Sequence, residues 1–277
     1  MTPPSTDGRG LCGGAPTCGS CATPTPDAPA ASRPPGPRCA TFRSSQLLIV
    51  EPVERGVAVR GLDSVRAAAA ATAHFGRLDV VIANAGIGEA VVPMTDLTPD
   101  QWERAVDINI NGVWRTFTAA LPHATKELGH PLAVSSLAAF VHAPLQGGYP
   151  ASKAGVWAVC DTMGLEVAHT GVTVGSAHPT FFKTSLMDGV MAQPASMRIW
   201  NNHTGMWKLI PIETVVNQIV RGIERRAAHV VAPRRNQLVA YIPGTIRAAA
   251  DRVQFRSKTV REALTAGQRT GTPSDAR

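Results

Sequence analysis

An α/β protein built on a doubly wound parallel sheet is what this sequence predicts, and three observations carry that expectation. Short apolar runs alternate with helical patterns from about residue 46 onward. The runs are nearly continuous in apolar character, as strands covered on both faces require. Several of them end in small polar residues, which fits a sheet whose ligands bind at the carboxyl ends of its strands.

The elements follow in order. Residues 1–45 are rich in Pro, Gly, Ala, Ser and Thr and show neither a helical nor a strand period, so they read as an irregular or disordered segment. Order is expected to begin near "SQLLIVEPVERGVAV" (45–59). "DSVRAAAAATAHFG" (63–76) reads as a helix, with Asp63 as a cap, alanines that favour it and Gly76 to end it. "LDVVIANAG" (78–86) reads as a buried strand running into a small-residue turn. "LTPDQW" (97–102) opens a helix: Thr98 and Gln101 form a capping-box pattern and Pro99 takes the first helical position. Val106, Ile110 and Val113 carry that helix onward. "PLAVSS" (131–136) is a second strand ending in hydroxyls. A helix is expected from Tyr149 to about His169, then a strand in "VTVGSAHP" (172–179). "PIETVVNQIVRGIERR" (211–226) is an amphipathic helix through Ile212, Val215, Ile219 and Ile223, and "HVVAP" (229–233) is a last strand. This divides the chain into residues 1–45, a sheet-and-helix domain over 46–240, and a basic C-terminal helix and tail over 241–277.

The chain has 277 residues, 44% of them apolar, and a net charge of +7. The charge is uneven: residues 221–277 hold twelve Lys/Arg against four Asp/Glu. "GTIRAAADRVQF" (244–255) reads as a basic amphipathic helix, either a solvated surface helix or a peripheral membrane contact. No nucleic-acid role is expected. No run is long and apolar enough to span a bilayer, and no apolar stretch follows a basic start, so a cytoplasmic location is expected. "CGSC" (18–21) has CxxC spacing but neither a second pair nor a strand-to-helix context, so no metal site is expected.

The chemistry centres on "YPASK" (149–153). A phenol titrates near 10, and a nearby ammonium favours the phenolate. Four-residue helical spacing puts Tyr149 and Lys153 on one face. Ser136, at a strand end thirteen residues earlier, offers a hydroxyl to polarise a carbonyl beside that phenol. Asn109, in "DINING", lies in a helix that would flank the same site and hold water toward Lys153. Asn84, Ser136 and Pro179 each follow a strand, so all three point at one crevice.

These residues resemble the short-chain dehydrogenase/reductase family. Its Asn–Ser–Tyr–Lys tetrad maps onto Asn109, Ser136, Tyr149 and Lys153. "NAG", formed by Asn84, Ala85 and Gly86, matches the family's turn beside the cofactor. "HPTFFKT" (178–184) resembles its Pro-Gly…Thr segment, placing Pro179 and Thr184 at the nicotinamide, with Thr180 in place of the glycine. The similarity runs from about residue 57 to 235. It implies a Rossmann-type fold, NAD or NADP as cofactor, and interconversion of a secondary alcohol and a ketone. Tyr149 would exchange the hydroxyl proton and Lys153 would also bind the nicotinamide ribose. A homodimer or homotetramer is implied as well.

One part departs from the family pattern. A strand, a TGxxxGxG turn and a helix should open the fold and bring backbone amides to a pyrophosphate. Here "STDGRGLCGG" (5–14) puts Cys12 where the last glycine belongs, no strand pattern precedes it and no helical pattern follows. The strand that distinguishes NAD from NADP falls in proline-rich "PAASRPPGPRCATF" (29–42). The first βαβ unit therefore reads as degraded or missing. Length is kept while content is lost, the trace of a reading-frame shift between residues 12 and 57; a genuinely divergent N-terminus is the alternative. With it comes a second functional reading, a catalytically impaired remnant or interaction protein that has lost cofactor binding.

Two further features bear on substrate. His142 and His178 flank the expected site, where packing competes with substrate contact. Residues 186–207 hold Met187, Met191, Met197, Trp200, Met206 and Trp207, a composition that suits a lid over an apolar substrate as well as it suits core packing.

Overall fold

The computed structural model describes residues 47–50, 61–241 and 257–270. Five parallel strands make one sheet in the order β1-β2-β3-β4-β5: Leu47–Val50, Val80–Ala83, His130–Val134, Gly175–Pro179 and His229–Ala232. The central strands β3 and β4 explain their own composition. Leu132, Ala133 and Ala177 are fully buried, with helices on both faces of the sheet.

One face carries α3 (Gly112–Ala124) and α4 (Gly148–Val167). Phe117, Val113, Val156 and Cys160 pack there onto Ala83, Ala133 and Val174. Helix α1 (Gly61–Phe75) joins α3 over Val81 through Ala68 and Ala120. The opposite face is covered by α7 (Ile212–Glu224), whose Ile219 and Ile223 meet Val80, Leu132, Ala177 and Val230. Val81 and Ala83 face one way and Val80 and Ile82 the other, the two-residue period that lets a short strand serve two cores.

Local signals account for the boundaries. At α2 (Pro99–Val106) Thr98 accepts from the Gln101 amide at 3.3 Å, the Gln101 side chain accepts from the Thr98 amide at 3.1 Å, and Pro99 sits in the first turn. Helix α1 ends at Gly76 with φ 76°, a left-handed residue as expected. It starts at Gly61, so Asp63 lies inside the first turn and not at the cap. Between α2 and α3 the chain makes one π turn, Asp107–Asn111, where a continuous α-helix was expected. An Arg115–Asp107 ion pair at 2.8 Å and an Asn111–Asp107 hydrogen bond at 3.1 Å brace that turn.

Past β4 come α5 (Ser185–Met191) and α6 (Pro194–Ile199), then α7, β5 and a short α8 (Gln237–Tyr241). The C-terminal helix α9 (Ser257–Thr270) packs on α6, with Ala263 fully buried and Leu264 beside it. The irregular segment 1–45, the expected pyrophosphate loop at 5–14, the strand in 29–42, the reading-frame boundary and the amphipathic stretch 244–255 lie outside the described residues, as does "CGSC". Among the described residues no helix is long and apolar enough to cross a membrane.

Candidate active site

The carboxyl ends of β2, β3 and β4 open onto one cleft, a cavity of about 340 Å³. Asn84 and Gly86 from the β2 loop line it, with Ser136 after β3, Tyr149 and Lys153 from α4, Pro179 at the end of β4 and Thr184 beyond it. Ala85, between two lining residues, is not part of the wall.

Helix α4 supplies the reactive pair because Tyr149 and Lys153 lie one turn apart near its start. Lys153 is 4% exposed, and its ammonium donates to the Val134 carbonyl at 2.9 Å. That ammonium lies 5.7 Å from the centre of the Tyr149 ring. Ser135 ties the same helix down by donating to the Lys153 carbonyl at 2.8 Å. Ser136 is extended; its Oγ accepts from the Ala138 amide at 3.1 Å, and its hydroxyl is hydrogen-bonded to the Tyr149 phenol.

Titration in this site differs from what spacing alone predicts. Burial pushes the Tyr149 phenol above its ordinary value, opposed by its hydrogen bond with Ser136. Burial also lowers Lys153 to about 8. The expectation that the ammonium dominates and lowers the phenol is therefore corrected: desolvation outweighs it, with the ammonium directed at Val134 rather than at the phenol oxygen.

Asn109 sits in the π turn and is fully buried. Its Oδ1 accepts from the Ile87 amide at 2.8 Å, and its Nδ2 donates to the Ile87 carbonyl at 3.0 Å and to Ser152 Oγ at 2.9 Å. Asn109 thus clamps the loop after Gly86 to α4. A π turn re-aims one residue of a helix, and such turns gather at functional sites; nothing in the sequence signals this one. Gly86 lies close under the site: a Cβ there would stand 3.0 Å from Lys153 Nζ and 3.4 Å from Asn109 Oδ1, so any side chain would press on the ammonium.

The far wall is largely apolar. Phe181, Trp200 and Trp207 stack edge to face, with Phe181–Trp200 and Trp200–Trp207 centroids both 4.8 Å apart. Leu186, Met187 and Val190 of α5 complete it. Of the six Met and Trp residues in 186–207, Met187, Trp200 and Trp207 line the cleft; Met191, Met197 and Met206 do not. Thr184 caps α5, its Oγ1 accepting from the Met187 amide at 3.2 Å. Thr180 is buried and its Oγ1 has no hydrogen-bond partner.

The two histidines stand behind the site. His178 bonds to the Ser136 carbonyl at 3.3 Å and to Ser176 Oγ at 2.8 Å, and burial lowers it to about 3. His142 reaches the Ala139 carbonyl at 3.3 Å. Neither lines the cleft. Glu89 does line it, and sequence reasoning passed it over. Both its carboxyl oxygens are buried without a hydrogen-bond partner, and burial raises it to about 6. No spacing rule singles out such a residue; only the tertiary fold reveals it.

The sequence pattern of the short chain dehydrogenase family matches residues 57–195. An uncharacterized NAD-dependent oxidoreductase of Mycobacterium tuberculosis is 36% identical over 121 residues, 42% of each chain. A (-)-trans-carveol dehydrogenase of Rhodococcus erythropolis is 37% identical over 132 residues, 47% of this chain and 48% of that one. The crystal structure of a short chain dehydrogenase from Mycobacterium paratuberculosis bound to NAD superposes with a TM-score of 0.55 at 26% identity, covering 62% of this chain and 68% of that one. The chain spans about half the length, or less, of the curated relatives it matches. With the family pattern covering half of its residues, this chain belongs to the short chain dehydrogenase family.

Proposed function

We propose that the protein is an oxidoreductase that interconverts a secondary alcohol and a ketone with NAD or NADP. One observation carries this reading: Ser136, Tyr149 and Lys153 line one cleft, and Asn109 clamps its floor. Ser136, hydrogen-bonded to the Tyr149 phenol, turns its hydroxyl proton to the substrate oxygen when substrate binds. Tyr149 gives a proton to that oxygen as the ketone is reduced, and takes it back when the alcohol is oxidised. The ammonium of Lys153 steadies the charge that develops on the phenol, and it matters most when the closed site excludes water. Asn109 acts through structure, holding the Gly86–Ile87 loop against α4.

The described residues suit the nicotinamide end of the cofactor. Lys153 uses one N–H on Val134 and keeps two for ribose hydroxyls. Thr184, which lines the same cleft, offers its hydroxyl to the carboxamide. The bound nicotinamide supplies or accepts the hydride. Apolar lining on the far wall, together with a relative named for the alcohol carveol, favours an apolar substrate.

In this reading residues 46–240 form the catalytic domain and 241–277 an appended basic segment, within a cytoplasmic homodimer or homotetramer. A peripheral membrane contact through the basic C-terminus belongs to the same proposal. A second reading, an impaired remnant, is favoured by one observation: Cys12 and its neighbours depart from the Gly-rich loop that holds a pyrophosphate. Titrating the full chain with NADH and NADPH and following nicotinamide fluorescence separates the two. Saturable binding of either supports the enzyme; no binding at millimolar levels leaves the remnant.

A further inference from the structure

We infer that His178 is a positioning residue for the reaction: it donates to the Ser136 backbone carbonyl and so holds the Ser136 hydroxyl on the Tyr149 phenol. This rests on reading that phenol as the proton-exchanging group.

A hydrogen-bonded chain leads from the surface of the molecule to Ser136. Its outer end is Asp161 on α4, in line with Tyr149, Lys153 and Trp157 at four-residue intervals. Asp161 Oδ1 faces Nε2 of His229, the first residue of β5, at 3.5 Å, and both side chains are partly exposed. His229 Nδ1 lies 3.2 Å from Oγ of Ser176, its register partner on β4. Ser176 Oγ lies 2.8 Å from His178 Nε2, and His178 Nδ1 lies 3.3 Å from the Ser136 carbonyl oxygen. Ser176 and His178 are fully buried. Aromatic rings flank this inner half: the Phe140 centroid is 4.7 Å from that of His178 and 4.8 Å from that of Trp157.

One assignment of protons pairs every atom from Ser136 to His229 Nδ1. A carbonyl only accepts, so His178 Nδ1 carries the proton. Burial keeps the ring neutral, which leaves Nε2 as an acceptor. The single Ser176 proton then goes to Nε2, and Ser176 Oγ accepts from His229 Nδ1–H. The Ser136 carbonyl already accepts from the Ala139 amide at 3.0 Å. His178 supplies its second donor, so the peptide after Ser136 is held from two directions. Ser136 Oγ hangs from the same residue, so a tilt of that peptide carries the hydroxyl off the phenol.

The alternative is that His178 is a core ring whose polar atoms are merely satisfied. Replacing it would then cost stability and leave the Ser136–Tyr149 pair untouched.

The sequence holds two tyrosines, Tyr149 and Tyr241. Labelling the tyrosine Cζ carbons with carbon-13 therefore gives the full chain two phenol signals. Their positions report hydrogen bonding with no nucleotide or turnover needed, and Tyr149→Phe assigns them. Ser136→Ala should move the Tyr149 signal, and His178→Leu should move it in the same direction. In His178→Leu the Ser136 carbonyl keeps Ala139 and the Ser176 hydroxyl keeps the Ala228 carbonyl at 3.4 Å, so the fold should be retained. His178→Gln, which reaches Ser176 and not Ser136, gives the same comparison if leucine does not fold. His178→Asn, whose amide takes the place of Nδ1–H, should return the signal toward that of the unchanged protein. Turnover is followed with 4-hydroxycyclohexanone, which carries both a ketone and a secondary alcohol. His178→Leu should lower kcat roughly tenfold to a hundredfold, the cost of misplacing a group beside the reacting atoms, with KM for the nucleotide unchanged and most of the loss recovered in His178→Asn. A Tyr149 signal that stays in place in the leucine or glutamine variant, or one that asparagine displaces as far as leucine does, would overturn the assignment. A displaced signal in a protein that binds neither NADH nor NADPH would sink the redox reading and keep the hydrogen-bonded chain. Turnover that Tyr149→Phe abolishes and His178→Leu leaves unchanged would do the reverse.

Discussion

The two sides of the cleft treat buried polar groups in opposite ways. On the inner side, Lys153, Asn109 and Ser135 are all hydrogen-bonded to the fold. On the outer side, Glu89 and Thr180 carry buried oxygens with no partner. The inner side is a finished framework that holds Tyr149 and Ser136 in place whatever is bound. The buried oxygens of the outer side are closed off from the open cleft as well as from other polar groups, so what the cleft presents there is mainly the apolar surface of Phe181, Trp200 and Trp207. Rigid chemistry next to an apolar wall is an arrangement in which positioning costs little and selectivity comes from how well a bound molecule fills that wall.

The largest expected effect tests whether the inner side is built for chemistry. Tyr149→Phe should lower turnover about a thousandfold, within the span usual for a general acid–base group. Its unfolding temperature should stay close to that of the unchanged protein, since the phenol holds up no part of the framework. Loss of turnover together with loss of fold would erase the distinction between the sides.

Acid should undo the framework next. His130 and His178 are buried neutral, lowered by burial to about 4 and about 3. The unfolded chain takes protons near 6.5 that the folded chain refuses, so stability falls as pH drops from that value toward 4. With two such groups the slope approaches about 2.7 kcal/mol per pH unit. Urea unfolding at intervals between pH 7 and 4 measures it, and a flat profile would contradict the burial of these rings.

Asn109→Ala sharpens the comparison further. It strands the Ile87 amide and carbonyl and removes a donor from Ser152 Oγ, which keeps its own bond to the Tyr149 carbonyl. A cost of about 1–3 kcal/mol is expected for a buried group left unpaired, visible in chemical unfolding, with a parallel loss of turnover. Were activity lost with stability intact, Asn109 would touch the reaction directly and not act by holding the loop.

A further effect concerns Lys153. Its folded pKa, about 8, lies below that of the unfolded chain, so the buried charge weakens the fold below about pH 8. Between pH 8 and 10.5 the unfolded chain holds the extra proton, and stability rises with pH. Compared with Lys153→Met, the unchanged protein should therefore gain stability across that window. A constant difference would mean that the ammonium is better solvated than its burial indicates.

Much of the inner side was legible in the sequence because its signals are local. Thr98, Pro99 and Gln101 specify a helix start through neighbours three residues apart. Tyr149 and Lys153 share a face by helical spacing, and the β3 and β4 runs announce their burial by composition. What escaped depends on contacts between distant segments. The π turn around Asn109 is fixed by packing and by Asp107–Arg115, not by a pattern within "DINING". The upward shift of Tyr149 follows from desolvation, which spacing does not report. Glu89 looks like any acidic loop residue until α4 packs over it. Residues 5–42 offered the least, since "STDGRGLCGG" departs from the Gly-rich turn and prolines interrupt the strand expected in 29–42.

The central claim is that Tyr149 exchanges a proton while a bound nicotinamide exchanges hydride with a ketone. The most direct test adds 4-hydroxycyclohexanone to the full chain holding NADH or NADPH and follows nicotinamide fluorescence. The account predicts that one of the two binds and is oxidised by the unchanged protein, whereas Tyr149→Phe binds it and leaves it reduced. Failure of both nucleotides to bind at millimolar levels, or equal oxidation by Tyr149→Phe, would contradict it.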